Sequence, residues 1–258
     1  MAERGALSRA MGSHDEPLCL ALETATATAS VALLRGSAEL GLLRGSEGQH
    51  HCETLLPMID ELLGAEGVRL DDLDLFAVSI GPGAFTSLRI GLATLKGLAF
   101  GGDQPAVAVS TLEALALSAC RALPEPPVGY LVPVLDARRG EVYAAAYEAP
   151  AGSAAGLGEP VMPASVYAAA ELAQALPQGG CLVGEGAAVV APELLAQPGG
   201  PWRSESRAPE VPDAVAVGLL GLAHFASGQA RPAGELVPRY VRRAEAEVTR
   251  TAERLEAT

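Results

Sequence analysis

The sequence predicts an α/β protein made of two subdomains. Three observations carry this. Short apolar runs of strand character alternate with longer runs in which apolar residues recur at helical spacing. The tetrapeptide Pro-Glu-Pro-Pro at 124–127 breaks the pattern near the middle of the 258 residues. The order of strands and helices before that break recurs loosely after it, without a short-period repeat. The expected organisation is a first half over 17–124 and a smaller second half over 125–240. A disordered N-terminal tail (1–16) and a charged C-terminal tail (241–258) flank them.

"LCLALET" (18–24), "SVALLRG" (30–36) and "AELGLLRG" (38–45) read as strands. The gaps between them are so short that an antiparallel meander is expected. In "HHCETLLPMIDELLG" (50–64), Leu55, Ile59 and Leu62 recur at helical spacing, with Gly64 as the stop. Pro57 predicts a kink or a late start there. "LDLFAVSIG" (73–81) is a buried strand. It ends in Gly81-Pro82-Gly83, which launches a helix from Ala84 to Phe100. A strand (106–110) and a helix (111–123) close the first half. After the break, strands 128–137 and 141–148 turn through Arg138-Arg139-Gly140. Residues 149–160 form a loop, 163–176 a helix, 181–186 a strand and 212–228 a helix, with Asp213 near its start and Gly228 at its end. From Tyr240 the tail mixes Arg and Glu, as a solvated helix or a disordered segment does.

Composition narrows the function. No apolar run approaches the ~20 residues of a membrane span. Residues 1–16 lack the apolar centre of a signal peptide, and Met11 offers an alternative start. Cys19, Cys52, Cys120 and Cys181 lie far apart, which argues against a disulfide framework and for a reducing cytoplasm. The net charge of −13 repels phosphate backbones, so binding of nucleic acid by this chain alone is not expected.

The Gly-Pro-Gly loop leaves two readings open. Amides at a helix start favour an anion, with Thr24, Thr26, Gly81, Gly83 and Arg89 as the groups that would hold it. Two glycines and a proline are also what a tight strand-to-helix turn needs, and neither phosphate-loop signature is matched. The helix that follows is apolar nearly all round, with Arg89 and Lys96 on one stripe. Ser87, Gly91 and Thr94 form a small-residue ridge, and Phe85, Leu88, Leu92, Leu95 and Ala99 a larger apolar stripe. Such a helix must be buried on nearly all sides, either by the neighbouring 50–64 helix or by another subunit. The candidate interface is His51, Leu55, Ile59, Leu62, Phe85, Ser87, Leu88, Gly91, Thr94, Leu95 and Leu98. His50-x-x-Glu53 is too sparse for a metal site and reads as first-turn chemistry. Asp136, Arg138 and Glu141 at a hairpin tip form either a binding ledge or a soluble turn.

Taken in order, "LALETATATASVALL", "HCETLLPMIDELL", "SIGPGAFTSLRIGLATLKGLAF", "AVSTLEALA" and "VLDARRGEVYAAAYE" resemble the TsaB (YeaZ) family, with "LVPRYVRR" (236–243) as its closing segment. The likeness spans residues 17–243, and Gly-Pro-Gly-x-Phe-Thr-x-x-Arg-Ile-Gly is its specific part. Ala84, Ser87 and Cys52 depart from the family's usual Ser, Gly and Ser. The resemblance implies an actin-like ATPase fold of the sugar-kinase and Hsp70 superfamily. It implies a cytoplasmic, non-catalytic subunit for making threonylcarbamoyladenosine beside the anticodon of ANN-decoding tRNAs. The implied partners are a TsaD-like homologue that performs the transfer, a TsaE-like ATPase, and a second copy of the chain. Contact with tRNA would come only through the complex.

Two comparisons with TsaD support the non-catalytic expectation. Thr111 and Leu115 stand where TsaD carries its metal-binding His-x-x-x-His. TsaD's Ser-Gly-Gly-His-Thr loop is replaced by "LDARRGE". No catalytic residue, resident metal or intrinsic cofactor is therefore expected, with ATP or ADP bound weakly or only in the complex. The rival readings are a sugar-kinase-like phosphotransferase, for which Glu23 is the only carboxylate in the first hairpin, and a metallopeptidase.

Overall fold

The structure, a computed structural model, describes residues 16–46, 48–124, 129–149, 157–196 and 200–241. The tails expected at 1–16 and 241–258 fall almost wholly outside the described residues, as does most of the loop expected at 149–160.

The predicted meander forms. Strands β1 (Leu18–Glu23), β2 (Ser30–Arg35) and β3 (Ala38–Arg44) pair antiparallel in sequence order. Helices α1 (His51–Glu66) and α2 (Phe85–Leu98) flank β4 (Leu75–Ser79), which pairs parallel to β1. Strand β5 (Pro105–Val109) continues the parallel run and leads into α3 (Thr111–Ala122). The second half repeats the arrangement. Strands β6 (Tyr130–Arg138), β7 (Glu141–Glu148) and β8 (Met162–Tyr167) form another antiparallel meander. After α4 (Ala169–Ala175), β9 (Cys181–Val183) runs parallel to β6. Helix α5 (Ala187–Leu194) follows, and then β10 (Arg203–Ser204), parallel to β9. Helix α6 (Ala214–Ala226) and β11 (Arg231–Pro232) end the regular structure. The sheets are ordered β11-β5-β4-β1-β2-β3 and β10-β9-β6-β7-β8, so one five-strand pattern appears twice.

Alternation along β1 explains the layers. Leu18, Leu20 and Leu22 face a core shared with α1 and α2, while Cys19 and Ala21 face one shared with α3 and α6. Helix α3 is buried between the two sheets, and α4 and α5 cover the far face of the second. The four cysteines are free. No helix among the described residues is long and apolar enough to cross a membrane.

Several expectations need correcting. Helix α1 starts at His51 and runs through Pro57 without a late start. It stops at Gly67 rather than Gly64: Gly67 has φ 64°, and Val68 N–H donates to Leu63 O at 2.9 Å, closing the last turn. The helix expected at 163–176 is a strand to Tyr167 and a helix only from Ala169, because β7 offers its edge to Ser165, Val166 and Tyr167. Helix α5 was not foreseen. Helix α6 and β11 pack on and extend the first sheet, so the chain recrosses from the second half to the first. Asp213, expected near the start of this helix, caps α6 by accepting from Ala216 N–H at 3.0 Å.

Gly91 is placed differently from the interface ridge expected of it. It is buried, and a Cβ there would collide with Thr24 Oγ1 and lie 3.1 Å from Thr24 Cγ2. At Gly91, α2 closes on the β1–β2 turn. Gly91→Ala should cost about 1–3 kcal/mol in urea unfolding despite alanine's better helix propensity. Adding Thr24→Ala should recover most of that loss; an additive double mutant would show that the contact is not the cause.

Candidate functional site

The turn after β1 organises the site. Thr24 N–H donates to Ser79 Oγ at 3.4 Å, and Ala84 N–H donates to Ala25 O at 2.8 Å. A Cβ on Gly83 would strike the same Ala25 carbonyl. His51 is buried, and its Nε2 donates to Thr26 O at 2.9 Å, which fixes the tautomer and ties α1 to the turn. At Gly81, with φ 115°, a Cβ would sit 2.7 Å from Arg239 O. Gly81 and Thr111 tie the strand ends together: Gly81 N–H donates to Thr111 Oγ1 at 3.1 Å, and Thr111 N–H to Gly81 O at 3.0 Å. The Gly81 amide, and just past the Gly-Pro-Gly segment the Ala84 amide, are thus already bonded within the chain.

A cleft of about 1140 Å³ lies in front of this turn. Its walls are the β1–β2 turn, the start of α1, the start of α2, the β6–β7 hairpin, Glu185 and the segment Arg239–Val241. Of the five residues considered for an anion, Thr26 and Gly83 line it. Thr24 and Gly81 are buried behind it, and Arg89 lies outside, on the exposed side of α2. Of the ledge, Asp136 and Arg138 line it and Glu141 does not. Asp136 Oδ1 accepts from Arg138 N–H at 2.7 Å, and the two side chains pair at 3.2 Å. Arg138 and Arg139 have φ 67° and 61°, uncommon for non-glycine residues, so this hairpin tip is held in a restricted shape. Burial, then the charge of Asp136, pushes the Glu185 carboxyl up, while Arg138 pulls it down.

The expected interface residues divide by burial. His51, Leu55, Ile59, Leu62, Leu88, Gly91 and Leu95 are core; Ser87, Thr94 and Leu98 are half-buried; Phe85 is exposed. The outward side instead carries Leu56, Pro57 and Cys52 on α1, and Thr86, Arg89, Ala93 and Gly97 on α2. Periodicity picked out the stripe that packs on the chain's own sheet; the exposed apolar residues lie off that stripe. Sequence reading also missed Tyr240, which stacks on Phe85 with ring centroids 4.8 Å apart, and the cleft residues Tyr143 and Glu185.

At the two positions compared with transferase ligands, Thr111 and Leu115 are fully buried, Leu115 in the core around α3. No group of three or more His, Cys, Asp or Glu among the described residues is placed to hold a metal. The chemistry of a hydroxyl bonded to Gly81 and an isobutyl group does not fit a metal.

Glu23 is wholly buried and does not line the cleft. Its Oε1 accepts from Ala25 N–H at 2.6 Å, while Oε2 has no partner, like Oγ1 of Thr24 beside it. Burial pushes its carboxyl up to about 7, against the pull of the Ser79 hydroxyl and the Ala25 amide. A raised acid binds its proton more tightly folded than unfolded, so its contribution is full below about 4.5 and is lost as pH rises through about 7. His224, raised chiefly by its hydrogen bond with Glu113, also loses stability as pH rises, so the two must be separated. Glu23→Gln should remove a pH-dependent difference on the order of 3 kcal/mol between pH 4.5 and 8, read as parent minus variant in chemical denaturation. A flat difference curve would mean that Glu23 titrates normally.

Comparison with known proteins now bears on this arrangement. A family model described as TsaD, tRNA N6-adenosine threonylcarbamoyltransferase, matches residues 46–186. The tRNA threonylcarbamoyladenosine biosynthesis protein TsaB of Haemophilus influenzae is 42% identical over 125 residues, 48% of this chain and 51% of that protein. The protein of the same name from Escherichia coli is 38% identical over 136 residues, 50% of this chain and 54% of its own length. The matched region thus spans about half the length of these curated relatives. The solved structure of YeaZ from Pseudomonas aeruginosa superposes with a TM-score of 0.71 at 31% identity, over 87% of this chain and 99% of that one. The two-sheet α/β architecture is shared along nearly the whole of YeaZ, and the chain belongs to the TsaB (YeaZ) family.

Proposed function

We propose that this chain is a non-catalytic subunit that docks onto a TsaD-like transferase and supports the making of N6-threonylcarbamoyladenosine beside the anticodon of ANN-decoding tRNAs. The observation that carries the reading is the pairing of two features in one fold. The positions of the transferase's metal ligands hold the buried Thr111 and Leu115, while α1 and α2 turn exposed apolar residues outward. A fold that has lost its ligands but keeps an uncovered helical face is fitted to assembly.

The docking partner is the TsaD-like homologue, with a TsaE-like ATPase joining the complex. The partner supplies the metal and the basic surface for tRNA, because 31 acidic residues against 18 basic ones disfavour phosphate contact by this chain alone. The cleft has room for ATP or ADP, held weakly or only in the complex, since the Gly81 and Ala84 amides are already bonded within the chain. The phosphotransferase reading is disfavoured because Glu23 is sealed behind the cleft wall.

Ala93 is exposed on α2, so Ala93→Arg should leave the melting curve unchanged and weaken capture of the co-expressed TsaD-like protein by at least about tenfold. Cells depleted of the chain should lose threonylcarbamoyladenosine from tRNA, and Ala93→Arg should fail to restore it. Normal modification in depleted cells that lack a second copy, or undiminished capture by the variant, would overturn the proposal.

A further inference from the structure

The β6–β7 hairpin tip, which the sequence left as a binding ledge or a soluble turn, forms one wall of the cleft. Among the described residues, the Lys, Arg, Asp and Glu side chains lining that cleft are Arg138, Arg139 and Arg239 against Asp136 and Glu185. Asp136 is matched by Arg138 at 3.2 Å. Burial and the charge of Asp136 hold the Glu185 carboxyl above the usual carboxylate range. Arg239 pairs with no carboxylate among the described residues. In a chain of net charge −13, the cleft is therefore a local reversal of sign.

The cations are also held in place. Arg138 and Arg139 both have positive φ, and Asp136 Oδ1 accepts from Arg138 N–H at 2.7 Å, which fixes the tip. Arg138 reaches Asp136 through Nη1, and its side chain stays 86% exposed. Arg239 N–H donates to Ile80 O at 2.7 Å, which ties the third arginine to the end of β4. Residues 84–87 bring the start of α2 to the same space, with no acid in its first turn and no side-chain cap from Ala84. Such a start adds to the preference for negative charge. Between the charges the lining is apolar or aromatic, with Ala27, Pro82, Ile90, Leu135, Tyr143 and Tyr240.

We propose that this cleft receives an acidic segment of a partner protein, with its carboxylates on Arg138, Arg139 and Arg239 and its apolar side chains against Ile90, Tyr143 and Tyr240. Size and charge both favour that occupant. At about 1140 Å³ the cleft exceeds the roughly 300–1,000 Å³ of small-molecule sites. A nucleotide gathers its charge on one polyphosphate and needs a cradle of amides, and those of Gly81 and Ala84 are bonded within the chain. Carboxylates are single charges that fit guanidinium forks one at a time. An RNA backbone would run on past the cleft over a surface that carries exposed Glu53, Asp60 and Glu61 on α1. A short segment seated inside feels the arginines first, since exposed charges beyond about 8 Å are screened at physiological salt. The proposal concerns the cleft alone and does not depend on α1 and α2 being the docking face.

The experiment is fluorescence polarisation on the purified full chain, with a labelled octapeptide of alternating Glu and Leu and a second peptide in which Gln replaces Glu. The Glu peptide should bind about tenfold more tightly than the Gln peptide, or better, and raised salt should weaken it. Arg138→Gln and Arg239→Gln should each weaken its binding about fivefold or more. Arg231→Gln, an equal change of charge on β11 outside the cleft, should leave it within about twofold. Thermal melts confirm that each variant folds, and Arg239→Gln serves if Arg138→Gln does not. A Glu peptide that binds no better than the Gln peptide overturns the proposal, and so do cleft variants no weaker than Arg231→Gln. If ADP or a short RNA of equal charge binds the same arginines more tightly than the peptide, the site is one for phosphates and the acidic segment is overturned.

Discussion

The structure depends on how tightly the β1–β2 turn is gripped. Ala25 O accepts from Ala84 N–H, Thr26 O from His51 Nε2, and Ser79 Oγ from Thr24 N–H. Gly83 and Gly91 let α2 close on the turn nearer than any side chain would permit. One short turn thereby fixes the starts of both outer helices and one wall of the cleft. Because it is buried, each contact is felt by the others: a shift of Thr24 moves α2, and a shift of Thr26 moves α1. Burying Glu23 and Thr24 with one unpartnered oxygen each is a cost that this grip must offset.

How much of this the sequence revealed follows from what each signal encodes. Strands β1, β2, β4 and β5 were legible because buried strands are written as local apolar runs, and the Gly-Pro-Gly turn because its residues are punctuation. The strand β8 was not, since Ala, Ser, Val and Tyr suit either state and the deciding factor is the open edge of β7, which lies elsewhere in the chain. The return of α6 to the first sheet was equally hidden: its apolar surface says that it is buried, not against which sheet. At the site, the spacing of Leu55, Ile59, Leu88 and Leu95 described the core, and those residues face inward. Tyr240 and Arg89 meet across 151 positions of sequence, beyond any local pattern.

The two expectations about the first hairpin separate in an instructive way. Hydroxyls and glycines at the end of a strand left open an anion cradle or a tight turn. The Gly81 amide and the Thr26 hydroxyl find partners within the chain, whereas the Thr24 hydroxyl has none among the described residues. Gly81 N–H is satisfied by Thr111 Oγ1, so that amide is already used within the chain.

The grip on the turn bears on the outer face. Helices α1 and α2 are pinned from below by the turn and from the side by the closing segment through Lys96, Arg89 and Tyr240. A surface held this way pays little ordering cost when a partner covers it, so modest apolar area suffices for useful affinity. The cleft shares Phe85 and Tyr240 with that face. The cleft and the outer face therefore meet at one layer of side chains, the ring of Phe85 stacked on that of Tyr240.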